Sequence, residues 1–87
     1  MKILMKPIKM ISMNQEDGII TPIRFQMKDT ADAYTTVKID NIVLRSEEKL
    51  SGNRMLIFRC QSEIRGTLQV YELKYELLSC KWYLYKM

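Results

Sequence analysis

Apolar and polar residues alternate along most of this chain in short runs, and turn-forming clusters separate the runs. Ile19 to about Lys28 is an example. Ile19, Thr21, Ile23, Phe25 and Met27 fall on one phase, with Arg24, Gln26 and Lys28 on the other. A repeat of two residues is the signature of a half-buried β-strand. Arg54–Ser62 repeats it, with Leu56, Phe58 and Cys60 opposite Met55, Ile57, Arg59 and Gln61. In Thr67–Leu77, Tyr71, Leu73, Tyr75 and Leu77 oppose Glu72, Lys74 and Glu76. Cys80–Met87 points Cys80, Trp82 and Leu84 inward and Tyr83 and Tyr85 outward.

The remaining segments are less regular. Ile8–Met13 reads as an edge strand because Pro7 cannot donate a ladder hydrogen bond, and residues 1–7 are expected to fray. Tyr34 to about Arg45 reads as one strand whose phase breaks at Ile42, Val43 and Leu44. A β-bulge there would restore the alternation. A single helical turn through Ser46–Leu50, capped by Ser46, is the competing reading. Turns are expected at Asn14–Gly18, Asp29–Ala33, Ser51–Asn53, Glu63–Gly66 and Leu78–Ser79.

Six short strands joined by short turns predict a single all-β domain over residues 1–87, an antiparallel meander. Such a sheet removes its edges by curling into a barrel or hides them by packing against a partner, and the expected form is a strongly bent sheet or partly open barrel, of which an SH3-like barrel is one form. The expected core is Phe25, Ile39, Phe58, Tyr71, Leu73 and Trp82.

Residues 51–62 and 71–87 resemble a group of small β proteins from Firmicutes-type bacteria that have no assigned activity. The resemblance implies a bacterial, intracellular origin and carries no mechanism with it.

Charge adds one ambiguity. The net charge is +4. Lys2, Lys6 and Lys9 give residues 1–13 a charge of +3 with no acid, which leaves +1 for the rest. Nucleic-acid affinity needs clustered cations, because it comes largely from counterion release, and a near-neutral body argues against a cluster.

Candidate chemistry is sparse. There is no histidine, so Cys60 and Cys80 lack the usual base for a nucleophile. Both are expected to be buried structural thiols, and without CxxC spacing they do not make a zinc site. Glu47 and Glu48 are neighbours. Glu72 and Glu76 share a strand phase about 13 Å apart at strand rise, too far for a glycosidase pair. With Lys74 between them they read as a solvated, alternately charged face. No phosphate-binding loop or nucleophile elbow is present. These absences predict a protein without catalytic activity, cofactor, metal or small-molecule substrate.

The remaining candidate is an aromatic and basic surface of Tyr83, Tyr85, Arg59, Gln61 and Lys74. Tyrosine and arginine are enriched in protein interfaces, so the leading expectation is a small protein-interaction or self-associating module. A nucleic-acid-associated accessory protein is the alternative, since aromatic platforms beside cations also stack bases. Residues 3–5 are too short an apolar run for a secretory leader. With no membrane-length segment and only two cysteines, the expected location is the cytoplasm.

Overall fold

A computed structural model describes residues 1–28 and 30–87. Seven antiparallel strands form one sheet: β1 (Ile3–Asn14), β2 (Ile20–Lys28), β3 (Tyr34–Lys38), β4 (Asn41–Leu50), β5 (Asn53–Ile64), β6 (Thr67–Glu76) and β7 (Lys81–Lys86). Their order across the sheet is β3-β2-β1-β7-β6-β5-β4. The all-β antiparallel class read from the alternation is the class observed. Among the described residues, no helix is long and apolar enough to cross a membrane.

The strand read as Tyr34–Arg45 is in fact two, β3 and β4, which form opposite edges of the sheet. Only Ile39 and Asp40 separate them, so the sheet must curl until its edges approach each other. The corner is pinned on both sides. Ile39 N donates to Ile23 O on β2 (3.0 Å), and Asp40 N donates to Gln61 O on β5 (3.1 Å). The Asp40 carboxylate accepts from Glu63 N at 2.8 Å. The result is a half-barrel. The phase break at Ile42–Leu44 is a register shift against β5, as a bulge requires. Ser46–Leu50 continues β4 instead of forming a helical turn. Two tight hairpins follow. Ser51-Gly52 and Arg65-Gly66 hold positive φ at both central positions, the geometry that matches strand twist in a two-residue turn.

Pro7 does not lie on an edge strand. β1 is interior, but it changes partner along its length. Ile3–Ile8 pair with β7 and Lys9–Asn14 pair with β2. Pro7 therefore has a ladder neighbour on one side only, which is how an interior strand tolerates a missing N–H. The first residues are also tied down, since Lys2 and Met87 exchange backbone hydrogen bonds at 2.9 and 3.0 Å.

The concave face holds the core: Phe25, Val37, Phe58, Cys60, Tyr71, Leu73, Trp82 and Leu84. Of the expected core, only Ile39 is merely half-buried, because it sits at the corner. Phe25 meets Tyr71 edge-on at 5.6 Å, joining the β1–β3 side to the β4–β7 side. The Tyr71 hydroxyl is paired with Ser62 Oγ at 2.6 Å, so the buried polar atoms satisfy each other.

Three expected orientations change. A register shift in the β1–β2 pairing buries Pro22 and exposes Ile19 and Ile23, which a strict alternation would have placed inward. Cys80 is exposed, because it ends the β6–β7 turn with φ 57° and does not open the strand. Glu72 and Lys74 are buried, not solvated.

Candidate functional site

The convex face divides into two patches, one with its charges paired and one with exposed cations. The first contains the residues singled out from the sequence. Tyr83 and Tyr85 of β7, Lys74 of β6, and Arg59 and Gln61 of β5 share the phase opposite the core. Ile57, Lys74 and Tyr83 align across three strands. The fold therefore brings these residues onto one surface, but their charges are already neutralised. Lys74 Nζ donates to Glu48 at 2.9 Å and lies 3.8 Å from the centre of the Tyr85 ring. The Arg59 guanidinium donates twice to Glu72 Oε2, at 3.0 and 2.7 Å. On the opposite phase of the same strands, where Glu47 faces Leu56, Arg54 pairs with Glu47. That hydrogen bond is the main reason the Glu47 carboxyl is held below its ordinary value. Tyr83 and Tyr85 are half-buried rather than free platforms.

The second patch is the convex side of β1, β2 and β3, which sequence reasoning missed. Arg24 and Lys38 are direct cross-strand partners. Ile11 faces Arg24 from β1, and Lys9 pairs with Gln26 one step along the same face. Gln26 in turn donates to Thr36 Oγ1 at 3.2 Å, which fixes the middle of the patch. Lys9, Arg24 and Lys38 are exposed, and none has an acidic partner among the described residues. Like charges directly opposite each other on a sheet are destabilising. Further along, Lys28 lies 5.5 Å from the centre of the exposed Tyr34 ring and 3.6 Å from Asp32. The sequence carries one overlooked signal: with the turn expected at Asp29–Ala33, of which Asp29 lies outside the described residues, a hairpin register places Arg24 against Lys38.

The two thiols differ. Cys60 is fully buried, and desolvation pushes its pKa up to about 12 despite the nearby Arg45 charge. It remains protonated at neutral pH and is a poor nucleophile. Cys80 is exposed in its turn, with its thiol 3.8 Å from Leu77 O. Among the described residues, no three His, Cys, Asp or Glu side chains are grouped to hold a metal.

Comparison with known proteins gives little beyond this geometry. No family model matches the chain, and no solved structure matches it. A replicase polyprotein of acute bee paralysis virus (strain Rothamsted) is 34% identical over 68 residues. The aligned segment covers 78% of this chain but only 4% of the polyprotein, so the chain is similar to a small piece of that protein.

Proposed function

We propose that this chain is a non-catalytic binding module that holds nucleic acid along the convex face of β1, β2 and β3. The observation that carries the reading is the unneutralised trio Lys9, Arg24 and Lys38, two of them placed directly opposite each other. A polyanion relieves that repulsion and releases its own counterions in doing so. Gln26 and Thr36 add polar groups between the cations, and Tyr34 offers one exposed ring at the margin. Contacts of this kind go mainly to phosphates and are tolerant of sequence. Similarity to part of a replicase polyprotein is a compatible setting for such a surface. The alternative of protein association through Tyr83, Tyr85, Arg59, Gln61 and Lys74 has less support, since Glu48 and Glu72 already occupy the cations of that surface.

The test is a fluorescence-anisotropy titration with a labelled single-stranded oligonucleotide over a range of salt concentrations. With about three phosphates neutralised, log K should fall with log salt at a slope of roughly −2. Replacing Lys9, Arg24 and Lys38 with Ala should flatten that slope and remove most of the affinity, with the melting temperature retained. Absent or salt-insensitive binding, or a triple variant that binds like the wild type, would refute the reading. Binding to anionic vesicles with no binding to oligonucleotide would also refute it.

A further inference from the structure

The half-barrel is open on one side, between β2 and β4, and one arginine side chain spans the opening. β3 stays paired with β2 only as far as the Arg24–Lys38 pair. Past the corner, β4 pairs with β5 alone. Ile20–Ile23 and β4 then diverge, and no Cα of β2 comes within 8 Å of a Cα of β4. Paired strands lie about 4.8 Å apart, and two spacings make about 9.6 Å. A single side chain still bridges the gap. Arg45 Nη1 donates to Ile20 O at 2.9 Å and Nη2 donates to Thr21 Oγ1 at 3.1 Å. The interval thus exceeds one strand spacing and lies within the reach of an arginine.

The opening forms a cleft of about 490 Å³ whose lining includes the apolar Ile19, Ile20, Leu56 and Phe58 and the polar Gln15 and Arg45. Arg45 also lies over the Phe58 ring, 5.3 Å from its centre. Both strands that border the opening also carry exposed apolar side chains, Ile23 on β2 and Val43 and Leu44 on β4. Pro22, at the centre of the β2 margin, has no N–H to leave unpaired there.

We infer that this seam is a strand-addition site for one extended segment of a partner polypeptide. Backbone pairing along β4 supplies the register, as in other cases of strand addition. Alternate apolar side chains of the segment rest on Leu56 and Phe58. A carboxylate of the segment takes the Arg45 guanidinium from Ile20 O. A second copy of this chain does not fit. Its free edges belong to folded hairpins, and a slot spanned by one arginine side chain admits a lone strand but not the border of a sheet. The occupant is therefore a disordered, apolar and acidic segment.

The inference is tested with a synthetic peptide of about six residues, the usual strand length, alternating valine and threonine around a central glutamate. Binding is followed by amide NMR of the intact chain. Expected are shifts and slowed amide exchange along β4 and at Ile20, with the outer surface of β1–β3 unaffected. A peptide N-methylated on alternate residues should not bind. Exchanging the glutamate for glutamine should weaken binding by up to about fivefold, the upper range for an exposed ion pair. That preference should vanish in Arg45→Met. No binding by the parent peptide overturns the inference. Equal binding by the N-methylated peptide overturns it too, because the cleft would then be an apolar pocket rather than a strand site.

Discussion

The two convex patches have the same ingredients arranged in opposite ways. Counted by halves, residues 41–87 carry a net charge of +3 and residues 1–40 a net charge of +1, although residues 1–13 alone carry +3, so the count by halves assigns the more basic surface to the second half. The fold reverses this. In the second half, Glu47, Glu48, Glu63, Glu72 and Glu76 all lie within strands, where Glu48 and Glu72 meet Lys74 and Arg59 on the convex face and Glu47 meets Arg54 on the other. In the first half, Glu16, Asp17, Asp32 and Asp40 lie between strands, whereas Lys9, Arg24 and Lys38 lie within them. Acids in turns cannot neutralise cations at the centre of a sheet face. Where a charge lies in its element therefore matters more than how many charges a segment contains. One patch is a closed electrostatic network, and the other has unsatisfied cations.

The largest expected effect tests whether the two halves are one folding unit. Phe25 belongs to the β1–β3 half but packs on Tyr71 of β6. Phe25→Ala should cost about 3–5 kcal/mol, and both halves should melt in a single transition. If β4–β7 kept its amide-exchange protection while β1–β3 lost it, the comparison would be between two domains and not two faces.

A smaller effect probes the closed network. Glu48→Ala leaves Lys74 unpaired, with its side chain only 7% exposed. Removing one partner of a buried pair should cost about 3 kcal/mol, toward the lower end because Glu48 is itself partly exposed. Denaturant unfolding measures this. A loss below about 0.5 kcal/mol, the level of an ordinary surface change, would mean that the Tyr85 ring alone holds Lys74.

The smallest effect has the opposite sign. Arg24→Gln removes one member of a like-charged pair and should raise stability by about 0.2–1 kcal/mol, more at low salt than at high salt. The same substitution should weaken oligonucleotide binding. A variant that is destabilised would show that Arg24 has a structural role, and the functional reading of the patch would fail.

The alternation of apolar and polar residues by itself determined the all-β class, the hairpin turns and most of the core. Phe25, Phe58, Tyr71, Leu73 and Trp82 are buried because a two-residue repeat permits only one inward face per strand. The bulge in the Ile42–Leu44 region was also legible, since three consecutive apolar residues cannot alternate. Cys80 and Ile23 were misplaced for a local reason. A turn residue and a register shift each reset the phase, and periodicity does not reveal where a reset occurs. The sequence correctly collected Tyr83, Tyr85, Arg59, Gln61 and Lys74 on one face, because the phase of a strand is local information. It could not reveal that Glu48, 26 residues from Lys74, would neutralise it. Nor could it show that β3 and β4, adjacent in the chain, would become opposite edges with an open seam between β4 and β2. Both depend on which strands become neighbours. Strand order is set by the closure of the whole sheet around its core, and no single segment encodes it.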